Sequence, residues 1–159
     1  MIVSNLQEFY SNLVEGAPII AIDYGNKKTG VAISNQEQSF AMPFKQMNLP
    51  NISKQVQEII ALVTIHKICG IVIGLPIDTN SSETEQTKQV RNFAEQVATQ
   101  TNIPIYLQDE RFTSKAADNL MKSLGMKRKE RNAADDTIAA SIILQDTLNS
   151  MMKLNKPKF

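Results

Sequence analysis

Three acidic residues stand beside apolar segments, where an unpaired charge is costly. Asp23 ends the apolar run 19–22, Glu110 comes shortly after the apolar run 103–107, and Asp136 shares a helical face with later apolar residues. A carboxylate in such a place needs a partner or a metal ion. Brought together, the three would form an oxygen-rich site for Mg²⁺ or Mn²⁺. Such ions can activate water and stabilise the leaving oxygen of a phosphodiester.

Each acid also has a purely structural interpretation. Asp23 is compatible with a turn, because aspartate is common there, and Glu110 is compatible with an ion pair to Arg111 or to a neighbouring lysine. Asp136 is compatible with a first-turn acid that the helix dipole favours. The neighbouring Asp135 points about 100° away around the helix and is the weaker ligand candidate. The joint position of Asp23, Glu110 and Asp136 therefore carries the hypothesis.

Composition excludes several other classes of site. The chain has 159 residues, 42% hydrophobic and 21% charged, with a net charge of +1, as expected of one globular domain. The single histidine, His66, rules out three-histidine zinc sites, and we expect it to be structural or exposed. The single cysteine, Cys69, is expected to be a small buried residue. No apolar run reaches the ~18 residues of a membrane span, so we expect a cytoplasmic protein without a membrane partner.

Positive charge is concentrated locally rather than over the whole chain. A basic cluster follows residue 126, and further cations flank Asp23 and Glu110. These side chains could line a groove for a phosphate backbone, although a solvated loop explains any single basic residue better. The nucleic-acid-binding candidates are Lys27, Lys28, Arg111, Thr113, Lys127, Arg128, Lys129 and Arg131.

Hydrophobic periodicity predicts strands that alternate with helices in the second half of the chain. The predicted strands are 18–24, 29–34, a weaker one at 38–47, 68–74 and 103–108. The predicted helices are 4–15, 51–67, one opened by Ser82 and ending near Gln100, 113–124 and 133–150. Capping boxes are predicted at Ser4 with Gln7 and at Ser82 with Glu85, and Gly16 is predicted to end the first helix.

This order predicts a mixed α/β sheet, antiparallel over the first three strands and parallel afterwards. The hairpin turn has Gly25 and Asn26, which permit positive φ angles. The carboxyl ends of parallel strands share one edge, so Asp23 and Glu110 should meet there. The Ala139/Ala140 face of the last helix could pack on the sheet and bring Asp136 to them. Gly74 lies where a bulky side chain would intrude on this site, or else in a plain strand-to-loop turn.

Several motifs, in this order, resemble those of the YqgF family of bacterial pre-16S rRNA nucleases, which are also described as Holliday junction resolvase-like. The resemblance covers roughly residues 18–148. The motifs are Ala21–Gly25 with Thr29–Ser34, Ile71–Pro76, Val90–Ala94, Asp109–Ser114 and Asp136–Gln145.

The resemblance implies an RNase H-like fold with a five-stranded mixed sheet flanked by helices. It also implies a metal-dependent nuclease that trims the 5′ end of the 16S rRNA precursor during ribosome biogenesis, with Mg²⁺ or Mn²⁺ as cofactor. Asp23, Glu110 and Asp136 fall on the family's acidic motif positions, so the resemblance makes them catalytic metal ligands. The implied partner is pre-16S rRNA or a ribosomal precursor particle.

Three features depart from the family pattern. The loop 78–83 lacks the glycine of the usual Asp-Gly-Thr-Glu segment, and the turn after Asp23 reads Gly-Asn-Lys instead of Gly-Thr-Lys. The N-terminal helix begins before the family's usual start. We expect a single domain over 1–159, with 1–16 as a helical extension that caps the core or makes a dimer contact, and with 151–159 as a loose basic tail.

Three other functions remain open. A Holliday junction resolvase would use the same acids on branched DNA, and an obligate dimer would favour it because two strands must be cut symmetrically. A monomer or weak homodimer would favour RNA processing. A non-catalytic binding protein on a ribosome-associated complex would not need costly buried acids. An actin-like ATP-dependent enzyme would need two lobes, for which the chain is too short.

Overall fold

The computed structural model describes residues 1–25, 28–48, 50–77, 80, 82–110 and 135–154, with 135 and 136 described by backbone alone. Its centre is a five-stranded sheet in the order β3-β2-β1-β4-β5. β1, β2 and β3 are antiparallel neighbours, and β1, β4 and β5 are parallel neighbours. The predicted mixed sheet is therefore confirmed. The strands are β1 (Ile19–Asp23), β2 (Thr29–Ser34), β3 (Ala41–Met47), β4 (Gly70–Leu75) and β5 (Ile105–Asp109).

Helices cover both faces of the sheet. Two of them follow β3 and β4 and pack on one face, where Ile59 and Phe93 are fully buried against the strands. The last helix packs on the other face through Ala140, Ile143 and Leu144. The helices are α1 (Leu6–Ser11), α2 (Ile52–His66), α3 (Glu85–Gln100) and α4 (Asp135–Leu154).

Alternation along the strands decides which side chains face α4. In β1, Ile20 and Ile22 join the core under α2 and α3, whereas Ile19 and Ala21 join the core under α4. Because successive side chains point to opposite faces, Asp23 continues the row that faces α4. β4 is buried along its whole length, as expected of a central parallel strand.

The N-terminal extension caps the core. Phe9 of α1 is fully buried and lies 5.8 Å from the ring of Tyr106. Ahead of α1, the Val3 N–H donates to the Ile105 carbonyl at 2.9 Å, so the first residues pair along the outer edge of β5. The extension therefore covers apolar surface and a strand edge, as the core-capping expectation requires.

Both predicted N-terminal caps were wrong. Asn5 caps α1, and its side chain accepts from the Glu8 N–H at 2.8 Å. Thr84 caps α3 in a capping box with Thr87. Serine, threonine and asparagine all cap well, so two overlapping cap patterns within a few residues cannot be separated by sequence.

Other boundaries also differ from prediction. α1 is shorter than 4–15, and Gly16, with φ +83°, lies beyond its end in the turn that leads to β1. β3 begins later than residue 38. α4 continues to Leu154, and Met151 is buried, so the start of the predicted loose tail is helical. The predicted helix 113–124, the basic loop and residues 155–159 lie outside the described residues.

Among the described helices, none combines the length and apolar character needed to cross a membrane.

Candidate active site

Asp23 stands at the carboxyl end of β1, level with Gly74 of the neighbouring strand. Ile22 is in register with Ile73, so the next residue of each parallel strand is aligned as well. On its other side, Asp23 pairs with Gly30 of β2. The last residue of a central strand thus carries a carboxylate that is only partly exposed.

Glu110 follows the last residue of β5 and is held there by the backbone. Its N–H donates to the Leu75 carbonyl at 3.1 Å, extending the parallel pairing of β4 with β5 by one bond. This bond fixes the Glu110 backbone at the edge of the sheet where β1 and β4 also end. The predicted meeting of strand ends is therefore present.

The side chains of Asp23 and Glu110 are hydrogen-bonded to each other. Burial, the negative charge of Asp23, this hydrogen bond and the charge of Asp109 together raise the pKa of Glu110 to about 8. Desolvation is the largest of these causes, and each of them disfavours a second negative charge. At neutral pH the pair therefore holds a proton in the absence of a cation.

Gly74 makes room for this pair. A Cβ atom at Gly74 would lie 2.4 Å from Glu110 Oε1 and 2.6 Å from Ile143 Cδ1. The Glu110 carboxyl and the Ile143 side chain therefore occupy the space above Gly74. Of the two alternatives that the sequence left open for this glycine, the structure supports the one in which a side chain would intrude on the site.

α4 packs on the sheet face toward which Asp23 points, so the backbone of Asp136, which belongs to α4, lies over that face. Asp136 lies in the first turn of α4, four residues before the fully buried Ala140 and seven before Ile143. Residues with this spacing share one side of a helix. Ala139, which we expected to pack on the sheet beside Ala140, is only partly buried. The Asp136 side chain is outside the described part of the chain.

Two polar side chains anchor α4 across the sheet, and neither was predicted. Gln145 accepts from the Ala41 N–H at 2.9 Å and donates to the Ser39 carbonyl at 3.2 Å. On the opposite side, the Thr147 hydroxyl donates to the Ile143 carbonyl at 3.0 Å within α4 and lies 3.5 Å from Gln108 Oε1 of β5. These contacts fix the rotation of the helix that carries Asp136 and Ile143. A polar residue on a helix is usually expected to face solvent, so the sequence gives little indication of these contacts of Gln145 and Thr147.

α3 braces the loops on either side of the pair. The Tyr24 ring, next to Asp23, stacks on Phe93 with centroids 4.4 Å apart, and burial raises the pKa of Tyr24. The Thr87 hydroxyl donates to the Pro76 carbonyl in the loop after β4. From the hairpin we expected a positive φ at Gly25, but the φ of Gly25 is not positive. A Cβ there would instead lie 2.4 Å from the Lys28 carbonyl oxygen, so the glycine allows a close backbone approach.

The other predicted site residues are mostly outside the described part. Lys28 is exposed beside the β1–β2 turn. The remaining candidates lie in undescribed segments: Lys27, Arg111, Thr113, Lys127, Arg128, Lys129 and Arg131. Within the described residues, no group of three or more metal-ligating side chains is found. The pair of Asp23 and Glu110 is what the described structure brings together.

His66 and Cys69 take no part in this site. His66 is exposed and is the last residue of α2. Because α2 leads into the start of β4, His66 lies at the other end of this strand from Gly74. Its ring packs edge-on against Phe44. Cys69 is buried just before β4, and burial raises its pKa. Both expectations from composition agree with this placement.

Comparison with known proteins identifies the family. The profile of the RuvX family, described as Holliday junction resolvase, matches residues 17–150. The chain belongs to the RuvX family. This confirms the resemblance to YqgF, which names the same family.

Curated relatives cover nearly the whole chain. A protein of Rickettsia felis is 53% identical over 154 residues, 97% of this chain and 100% of its own length. A protein of Rickettsia bellii is also 53% identical over 154 residues, with the same coverage of both chains. Both carry the name "Putative pre-16S rRNA nuclease". The N-terminal extension is therefore largely included in the matched length.

Solved structures share the RNase H-like fold. Thermus thermophilus RuvC in complex with a Holliday junction matches with a TM-score of 0.56 and 11% identity, covering 86% of this chain and 96% of RuvC. The human cytomegalovirus terminase nuclease domain matches with a TM-score of 0.53 and 13% identity, covering 92% and 94%. At these identities the likeness extends to the fold alone. It confirms the predicted fold class.

Proposed function

We propose that this protein is a metal-dependent nuclease that hydrolyses phosphodiester bonds at the 5′ end of pre-16S rRNA. The observation that carries the proposal is the hydrogen-bonded pair of Asp23 and Glu110 at the carboxyl edge of β1, β4 and β5. This edge is where ligands bind in open α/β sheets. The name of the Rickettsia relatives supports the choice of RNA substrate.

The donor set fits Mg²⁺ or Mn²⁺. Carboxylate oxygens are the preferred ligands of these ions. Asp23 and Glu110 would hold such a cation, whose positive charge would favour the ionised form of Glu110 that burial and Asp23 disfavour. We propose Asp136 as the third ligand, and its spacing of four residues before the buried Ala140 and seven before Ile143 in α4 supports this choice. A bound divalent ion would supply water activation and stabilisation of charge on the leaving oxygen.

The chain's own residues have separable tasks in this proposal. Asp23 and Glu110 would hold the cation through their carboxylate oxygens, for which Glu110 must be ionised. Tyr24, stacked on Phe93, fixes the backbone just after Asp23. The exposed Lys28 would contact phosphate, and we propose the same role for Lys27, Arg111, Thr113, Lys127, Arg128, Lys129 and Arg131.

The rest of the functional picture follows from this activity. We propose that residues 1–159 form a single nuclease domain, and that it acts in the cytoplasm on pre-16S rRNA or on ribosomal precursor particles. A monomer or a weak homodimer suffices, because one strand is cut at one place. The N-terminal extension has a structural role in this account.

The family description favours one alternative, a Holliday junction resolvase. A labelled pre-16S rRNA 5′ leader and a four-way DNA junction, each incubated with Mg²⁺, Mn²⁺ or chelator, separate the two activities. We expect metal-dependent loss of the leader and an intact junction. Symmetric nicking of the junction by a dimer, with the leader left uncut, would establish the resolvase instead. Cleavage of neither substrate would favour the binding protein.

A further inference from the structure

Gly74 interrupts an otherwise filled strand. The side chains of Ile71, Val72, Ile73 and Leu75 in β4 are all buried and apolar. A glycine in such a strand gives up apolar contacts and adds conformational entropy to the unfolded chain. A glycine inside a strand often marks a place where another group approaches the backbone closely. Here the approaching group is the carboxyl of Glu110, with Oε1 2.4 Å from the position of a Cβ.

Ile143 closes the space from the other side. Its Cδ1 atom lies 2.6 Å from the same Cβ position, so the Glu110 carboxyl is confined between β4 and α4. Ile143 belongs to the helix that also carries Asp136, two turns earlier. The slot above Gly74 is therefore bounded by β4 and α4, and it contains the side chain that reaches Asp23 of β1.

We propose that Gly74 is a positioning residue. Because Gly74 has no side chain, it leaves a slot that holds the Glu110 carboxyl against Asp23, and Ile143 forms the wall of that slot. This inference rests on the proposed function, because it assigns Glu110 to a cation site. In this arrangement Gly74 contacts no substrate. It acts through Glu110 and sets the distance between two ligands that arrive from different strands.

The test is Mn²⁺ affinity of the purified protein, measured by calorimetry, with Gly70→Ala as the matched control. Gly70 lies at the other end of β4, and a Cβ there would meet Leu13 Cδ2 at 2.5 Å, a similar collision away from the acids. We expect Gly74→Ala to weaken Mn²⁺ binding at least about tenfold, the scale of lost ligand orientation. Gly70→Ala should lower the melting temperature and leave Mn²⁺ affinity unchanged. Equal losses in both variants would overturn the proposal.

A double-mutant cycle separates positioning from general damage. Glu110→Asp shortens the side chain by one methylene and withdraws it from the slot, so adding Gly74→Ala to that variant should cost less than about threefold in Mn²⁺ affinity. The same factor in both backgrounds would overturn the proposal. If Gly74→Ala does not fold, Ile143→Val decides: it should weaken Mn²⁺ binding, whereas Ile142→Val, the same truncation on α4, should not. Equal affinities in these two variants would overturn the proposal.

The outcome is distinguishable from failure of the proposed function. Wild-type protein that binds Mn²⁺ with the expected coupling, and yet cuts no RNA leader, would overturn the function and keep the positioning role. If the wild-type protein cuts the leader but the Gly74→Ala and Glu110→Asp cycle is additive, only the positioning role is overturned. A wild-type protein that binds no Mn²⁺ would overturn the positioning role whatever the cleavage assay shows.

Discussion

The carboxyl groups of Asp23 and Glu110 are hydrogen-bonded to each other across the end of β4, although they belong to strands that are not neighbours. Two partly buried acids in contact repel once both are ionised, so the metal-free protein favours a protonated Glu110. A cation can take the place of that proton. The same contact therefore links the stability of the fold, its dependence on pH and the proposed chemistry.

The metal-free protein should lose stability as pH rises from about 4.5 to about 8. The pKa of Glu110 is raised from 4.5 to about 8, so the folded state binds more protons than the unfolded state within that window. The stability contribution is complete below the lower value and is lost through the upper one. Its slope is at most about 1.4 kcal/mol per pH unit for one proton.

Urea unfolding in chelator at a series of pH values measures this slope. Glu110→Gln is the matched variant, because it cannot ionise and should lack this part of the pH dependence. Parallel pH profiles for wild type and Glu110→Gln would contradict the assignment of the proton to Glu110.

Asp136→Asn should weaken Mn²⁺ binding, and Asp135→Asn should not. The backbone of α4 puts Asp136 four residues before the buried Ala140, whereas Asp135 is displaced by about 100° around the helix. The two substitutions remove the same charge from the same turn, so the two variants differ only in the position of the changed residue around the helix. Calorimetric titration with Mn²⁺ compares them. A stronger loss in Asp135→Asn would reverse the assignment of the third ligand.

Gln145→Leu should destabilise the protein by about 1–3 kcal/mol, because it leaves the Ala41 N–H and the Ser39 carbonyl without their partner. Gln57→Leu on the exposed side of α2 is the control and should change the free energy of unfolding by less than about 0.5 kcal/mol. Chemical denaturation measures both. If the two variants have the same stability, Gln145 does not anchor α4.

Phe9→Ala should cost about 3–5 kcal/mol, since the ring is fully buried between α1 and the sheet. Val14→Ala nearby should cost little, because 61% of Val14 is exposed. Analytical ultracentrifugation of Phe9→Ala should show no change in oligomeric state. A shift in association, with unchanged stability, would mean that the extension makes a dimer contact instead of capping the core.

The sequence was most informative where an apolar run meets an acid. β1 and β5 were predicted from the apolar runs that precede Asp23 and Glu110, and a shared carboxyl edge of parallel strands then brings the two acids together. Gln145 could not be predicted, because its partners are backbone groups distant in sequence. Thr84 was missed because Ser82 offered an equally good cap pattern. Local patterns predicted that Asp23 and Glu110 meet, whereas the contacts that hold α4 depend on tertiary structure.

In the proposed nuclease, Asp23 and Glu110 would hold the divalent cation that RNA cleavage requires. The most direct measurement is cleavage of a labelled pre-16S rRNA 5′ leader with Mn²⁺ by wild type, Asp23→Asn and Asp146→Asn. Asp146 is a partly buried acid farther along α4, so its variant controls for loss of a carboxyl group. We expect wild type and Asp146→Asn to cleave equally and Asp23→Asn to be folded and inactive. Unchanged turnover in a folded Asp23→Asn protein would contradict the account.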